Sequence, residues 1–149
     1  MGGFTFRKFN RVHRVFLCFN PRVNMDSKKL ALLCREFADN KKAEDIVVID
    51  VRKLSSVTDY FVIASGTSQP HLRAIVEEIN SKLRDDHDLR PSRAEGAVTG
   101  TWVVMDYFDV IVHVMHTETR KRYDLEGLWG DAKPVKPAKA RKKKTPAEN

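Results

Sequence analysis

Two histidines and one small-residue turn are the parts of this chain that could do chemistry. His113 and His116 lie three positions apart in a valine-rich stretch that predicts a β-strand. Side chains alternate between the two faces of a strand, so an odd separation prevents these imidazoles from sharing one metal ion. Cys18 and Cys34 have neither metal-ligand spacing nor the number needed for a disulfide framework. We therefore expect no metal site and no cofactor.

The small-residue turn is Ser65-Gly66-Thr67-Ser68, between a predicted strand and a predicted helix. Backbone N–H groups at such a place can bind a phosphate. The turn lacks the lysine and the glycine spacing of a P-loop, and the sequence has no G-x-G-x-x-G pattern. A capped strand-to-helix turn is the better interpretation, with Thr67 and Ser68 as caps and Pro70 in the first helical turn.

The elements that must position these residues follow from the hydrophobic pattern. Ser27 is predicted to cap a helix that ends near Asn40, and Thr117 a short helix that ends at Arg122. Apolar runs without alternation predict strands that are covered on both faces. The predicted order is helix 27–40, strand 46–51, strand 59–65, a helix with the apolar stripe 72–83, short strand 91–95, a hairpin turning at 106–109, and helix 117–122. This order predicts an α/β fold with a mixed sheet of about five strands and helices packed on it.

The charge divides the chain into three parts. Residues 1–25 have five basic side chains and no acidic one, and residues 132–149 have seven basic side chains and one acidic. Because the whole chain has a net charge of +7, residues 26–131 have a net charge of −4. Basic ends favour nucleic acid, whereas an acidic domain is repelled by phosphate and attracted to a basic protein.

We predict one folded domain at 26–132 between two different ends. Residues 1–25 have three interpretations: an upstream extension of a gene whose true start is Met25, an organelle-targeting segment, or a basic arm. Residues 133–149 are rich in lysine and proline and are predicted to be disordered. Its basic residues Lys139, Arg141, Lys142, Lys143 and Lys144 would contact RNA phosphates non-specifically. No apolar run reaches the roughly 20 residues that a membrane span requires.

The most specific feature is the string TWVVMDYFDVIVHVMHTETRKRYDLEGLWGD at 101–131. It closely resembles the signature of the ribosomal silencing factor family, also called the Iojap family. That family has a hairpin with WV, D-Y-G-D and V-H, then an ETR element and YDLE-x-LWGD. The resemblance covers about residues 27–133. It implies a protein that binds the large ribosomal subunit and blocks the small subunit sterically, so that translation is repressed when nutrients are scarce.

The same resemblance implies a partner and a contact surface. The partner would be the fourteenth protein of the large subunit, contacted by Trp102, Asp106, Tyr107 and Asp109. Asp59 and Tyr60 on the neighbouring TDYFVIASGTS segment are weaker candidates. By chemistry alone Trp102 is equally a core-edge residue, and both interpretations stay open. Trp129, Leu125 and Leu128 are expected to clamp the end of the domain.

The family resemblance also raises an enzymatic alternative, because its sheet is similar to that of nucleotidyltransferases. Such an enzyme needs two carboxylates on one strand face, two residues apart, to bind magnesium. Asp106 and Asp109 are three apart and flank a turn, so we predict no enzyme activity. Phe108 occupies the place of the family glycine, which leaves the turn type open, since a positive φ there would be costly for phenylalanine.

Family membership also implies a setting. We expect the cytoplasm, or a mitochondrion or plastid if residues 1–25 are a targeting segment, and there a role in large-subunit assembly. A homodimer of the free protein is a further expectation. The remaining alternative is an RNA-binding protein that uses its basic ends as its main site.

Overall fold

The structure is a computed structural model that describes residues 25–96 and 100–136. The predicted extension at 1–24 and the tail residues Lys139, Arg141, Lys142, Lys143 and Lys144 lie outside the described residues. In chain order the elements are α1 (Ser27–Asn40), β1 (Glu44–Asp50), β2 (Tyr60–Gly66), α2 (Gln69–His87), β3 (Arg93–Glu95), β4 (Trp102–Asp106), β5 (Val110–His116), α3 (Thr117–Tyr123), α4 (Leu125–Leu128) and β6 (Lys133–Pro134). None of the helices in these described stretches is both long and apolar enough to cross a membrane.

The strands form one mixed sheet in the order β3-β4-β5-β2-β1-β6. At its centre β2 and β5 run parallel, from Tyr60 beside Val110 to Gly66 beside His116, and every other neighbouring pair is antiparallel. The α/β class and the mixed sheet are confirmed. Both predicted apolar strands sit near the middle, and β2 is buried along its whole length, as a strand covered on both faces must be.

The sixth strand was not predicted. Lys133 and Pro134 pair with the end of β1, and the Val135 N–H donates to the Val48 carbonyl at 2.7 Å. Val135 also packs against the main core, partly buried. The prediction that disorder begins at Lys133 is therefore wrong, because these first tail residues complete one edge of the sheet.

The N-cap predicted from sequence is right for α2 and one residue too late for α1 and α3. Ser68 caps α2 as predicted, accepting from the His71 N–H at 3.3 Å, and Pro70 lies in the first turn. The Ser65–Ser68 turn is thus a capped turn. Ser27 and Thr117 are not caps. They are the first helical residues, because Asp26 and His116 take the N-cap positions of α1 and α3.

The alternation of side chains gives the sheet two different faces. On the helix-covered face, Val110, Val112 and Val114 of β5 pack under α1 and α2, together with the α2 stripe Leu72, Ile75, Ile79 and Leu83. Val76, also predicted for that stripe, is only partly buried. The opposite face carries a smaller core, over which α4 packs. On this face five residues of β4 and β5 stay partly exposed: Trp102, Val104, Asp106, Ile111 and His113. We call these five residues, together with Phe61 of β2, the open face.

Candidate binding surface on the open face

Two antiparallel strands build the open face. In β4 the residues Trp102, Val104 and Asp106 share one face because each is two positions from the next. Pairing places Val104 opposite His113 and Asp106 opposite Ile111 on β5. The hairpin predicted from sequence is confirmed, and it brings an indole, an imidazole and a carboxylate onto one surface.

Trp102 is held in place by His113. The indole Nε1–H donates to His113 Nδ1 at 3.1 Å, and the two ring centroids are 5.8 Å apart. Because Nδ1 accepts this bond, the ring proton of a neutral His113 is on Nε2. Burial lowers the pKa of His113 to about 4, so the imidazole is neutral at pH 7. A neutral imidazole can keep accepting from the indole, which fixes the orientation of Trp102.

Trp102 and His113 belong to a row of five rings that crosses three strands. From one end to the other, the centroid distances are 5.2 Å for Tyr123–Trp102, 5.8 Å for Trp102–His113, 5.4 Å for His113–Phe61 and 5.1 Å for Phe61–Trp129. All four contacts are tilted, a favourable geometry for aromatic pairs. We call this set the aromatic row. It gives the open face a rigid apolar centre.

The outer rings are supplied by α3 and α4, which Arg120 fastens to the sheet. Arg120 donates to Glu126 Oε1 at 2.8 Å, to Ser65 Oγ at 2.8 Å and to the Asp45 carbonyl at 2.5 Å. The predicted clamp is confirmed for Trp129 and Leu125, which pack on the smaller core. It is wrong for Leu128, which is 74% exposed. The Arg120 guanidinium, only partly exposed, thus connects α3, α4, β2 and the start of β1.

Three carboxylates gather at one end of the sheet, the end where β2 and β5 begin. The backbone N–H of Asp59 donates to the Asp109 carbonyl at 2.9 Å, which holds the two loops side by side. Asp106 ends β4 at the same end, and its Oδ1 accepts from the Phe108 N–H at 2.8 Å. We call Asp59, Asp106 and Asp109 the acidic end. Trp102 starts the same strand, about 13 Å away along β4.

Two of the predicted contact residues are core residues instead. Tyr60 and Tyr107 are 1% and 3% exposed and pack under the helices. The Tyr107 hydroxyl donates to Asn80 Oδ1 at 2.5 Å, and burial raises the pKa of Tyr107. The reason is alternation: each tyrosine directly follows an aspartate and so points the other way. Neither offers a surface to a partner in this structure.

Sequence reasoning did not assign three rings of the aromatic row to the surface: Phe61, His113 and Tyr123. The signal for His113 was available, because it is an even number of positions from Ile111 on the strand paired with Trp102. Phe61 required knowledge that β2 lies beside β5. Tyr123 required the position of α3, which depends on the Arg120 contacts and not on any local pattern.

Comparison with known proteins places this geometry in a family. The sequence model described as "Ribosomal silencing factor during starvation" matches residues 24–149. The chain belongs to the ribosomal silencing factor family. It is 39% identical over 108 residues to ribosomal silencing factor RsfS of Bacillus subtilis, a match that covers 72% of this chain and 91% of that one.

Two further relatives of this silencing factor family member bear on structure and setting. A crystal structure of a Chromobacterium violaceum protein superimposes with a TM-score of 0.69 at 33% identity, covering 79% of this chain and 98% of that one. The mouse protein named "Mitochondrial assembly of ribosomal large subunit protein 1" is 39% identical over 94 residues, covering 60% of this chain and 40% of that one. The family identified from the 101–131 string is therefore confirmed.

Proposed function

We propose that this chain binds the large ribosomal subunit through its fourteenth ribosomal protein and sterically prevents the small subunit from joining. The observation that carries the proposal is the open face: an indole locked by a neutral histidine, with three carboxylates at the end of the same sheet. Translation would be repressed when nutrients are scarce, in keeping with the family description.

The chemistry of the open face suits a basic protein partner. Tryptophan is the residue type most enriched among those that dominate binding energy, and a rigid anchor loses little entropy on binding. Asp59, Asp106 and Asp109 would steer a positively charged partner toward the anchor. The net charge of −4 over residues 26–131 acts in the same direction and opposes contact with phosphate.

The proposed mechanism is steric and requires no catalysis. A domain docked on the face of the large subunit that meets the small subunit would occupy volume that the small subunit must enter. The two aspartates of the hairpin, Asp106 and Asp109, stabilise its turn: the Asp106 side chain accepts from the Phe108 N–H, and the Asp109 N–H donates to the Tyr107 carbonyl. We propose that the chain is a binding factor and not an enzyme and that it acts in the cytoplasm, and we keep a homodimer of the free protein as an expectation to be tested.

A second candidate is large-subunit assembly inside an organelle. The name of the mouse relative favours it, and so does the basic composition of residues 1–25 if they are a targeting segment. Both candidates require the large subunit as partner. They differ in timing, because an assembly factor associates with immature subunits and a silencing factor with finished ones.

Sedimentation with purified ribosomal subunits tests the proposal. We expect the full chain to co-migrate with mature large subunits, to leave small subunits and free ribosomal RNA unbound, and to reduce the joined-ribosome peak when both subunits are mixed. Exclusive association with immature large particles would favour the assembly role. Co-migration with naked RNA, unaffected by Trp102→Ala, would overturn both in favour of RNA binding by the basic ends.

A further inference from the structure

Phe108 is an aromatic residue in a backbone conformation that phenylalanine avoids. It lies at the tip of the β4–β5 hairpin with a φ of +70°. Five described non-glycine residues have positive φ, and three of them are aspartates, a type that tolerates this region. A bulky side chain with positive φ strains the backbone. Strain of this kind usually persists only at functional positions.

The surrounding turn holds Phe108 in this conformation. Its N–H donates to Asp106 Oδ1 at 2.8 Å, the Tyr107 N–H donates to the Val110 carbonyl at 2.9 Å, and the Asp109 N–H donates to the Tyr107 carbonyl at 3.0 Å. Buried Tyr107 precedes Phe108, and β5 begins two positions after it, so the tip is anchored on both sides. The turn thus presents the ring of Phe108 outward, 45% exposed.

Two more exposed apolar residues lie at the same end of the sheet. Leu54 and Val57 belong to the loop between β1 and β2 and are 47% and 62% exposed. That loop is joined to the hairpin tip through the Asp59 N–H and the Asp109 carbonyl, 2.9 Å apart. We call Leu54, Val57 and Phe108 the apolar end. Val57 and Phe108 lie within two positions of the acidic-end carboxylates along the chain, whereas Leu54 lines a cavity together with Lys53 and Lys133.

We infer that the apolar end, with Phe108 as its anchor, is a second contact for the basic protein partner of the open face. This inference rests on the proposed function. Two observations favour this partner. First, the neighbouring carboxylates complement a basic protein. Second, Asp106 connects the two surfaces, because it lies on the same strand as Trp102 and its side chain accepts from the Phe108 N–H. The Phe108 ring gains contacts when the partner binds. This gain explains why the chain keeps a backbone conformation that is unfavourable in the free protein.

The test is Phe108→Gly in the full-length protein. Glycine adopts positive φ without cost, so the melting temperature should rise by a few degrees. The affinity for purified large subunits should fall about tenfold, because an aromatic anchor is lost. Opposite signs for stability and binding are the signature of a strained contact residue.

Two matched variants make the outcome decisive. Phe108→Leu keeps an apolar side chain and the strain, so it should retain affinity within about threefold and gain no stability. Leu128→Ser removes the leucine with the highest exposure among the described residues, on α4 and outside the apolar end, and should leave binding unchanged. Melting curves, subunit-binding titrations and the sedimentation coefficient of the free protein are measured for all three.

Each possible result either supports or overturns the inference. If the wild-type chain binds large subunits and Phe108→Gly binds equally well, this inference alone fails. If the wild type does not bind, the proposed function fails and this inference with it. A lower melting temperature with unchanged affinity shows that the ring is a packing residue. Loss of a free dimer with unchanged affinity assigns the apolar end to a second copy, and either result overturns the inference.

Discussion

The two faces of the sheet are formed by the same strands but have different roles. On the helix-covered face, α1 and α2 bury valines, isoleucines and leucines completely, and the Tyr107 hydroxyl there finds a partner in Asn80. On the open face, neighbouring residues of the same strands form a partly exposed aromatic row with carboxylates at one end. The first face determines the fold. On the second face α4 covers only part of the sheet, and the aromatic rings beside it pack against one another.

This contrast predicts that substitutions on the two faces separate stability from binding. On the helix-covered face, a substitution should unfold the domain before it affects any partner. On the open face, a substitution should change affinity while the domain stays folded. The following experiments test that separation, in order of decreasing expected effect.

Ile79→Ala should lower the free energy of unfolding by about 3.5 kcal/mol, since it leaves a cavity under a fully buried side chain. Denaturant unfolding measures this loss. The folded fraction should bind large subunits normally. Leu128→Ala, at an exposed position, should change stability by less than about 0.5 kcal/mol. A core variant with normal stability but weak binding would contradict the division between the faces.

Acidification should destabilise the open face through His113. Its pKa is about 4 in the folded chain and about 6.5 when unfolded, so between these values the unfolded chain binds more protons. The contribution is complete above pH 6.5 and is lost as the pH falls to 4, on the order of 3 kcal/mol. His113→Gln should flatten the pH dependence of unfolding in this window. Equal slopes for wild type and His113→Gln would refute the assignment.

Trp102→Ala should weaken binding to large subunits by about 2 kcal/mol, roughly thirtyfold, as expected for a central aromatic anchor. The melting temperature must be measured alongside, because Trp102 also packs on the smaller core. A folded variant that binds and blocks subunit joining at wild-type levels would remove Trp102 from the site. If the variant does not fold, Trp102 is a core residue and not a contact residue.

Asp109→Lys should have the smallest effect, below about 1 kcal/mol, and mainly on the association rate. It reverses one charge in the field that a basic partner encounters, so the effect should shrink as salt is raised. Asp86→Lys, at an exposed position of α2 on the helix-covered face, provides a charge-matched control. Slower association in both variants would show that net charge matters and the acidic end does not.

Sequence alone was sufficient where a short pattern determines the structure. The hairpin and the start of α2 at Ser68 and Pro70 follow from alternation and capping chemistry, and the short strand predicted at 91–95 forms at Arg93–Glu95. It was insufficient where position depends on distant partners. Lys133 and Pro134 have no strand pattern and are ordered by β1, and the aromatic row needs β2 beside β5, far apart in the chain.

The parallel pairing of β2 with β5 also constrains when the sheet can form. Tyr60 pairs with Val110, so the centre of the sheet joins residues about 50 positions apart. During synthesis the first half of the chain emerges with one long side of β2 unpaired, and the hairpin that covers it follows only after α2. Long-range pairing of this kind slows folding and exposes strand edges meanwhile. We therefore expect docking of the β4–β5 hairpin onto β2 to be the step that commits the nascent chain to its native state.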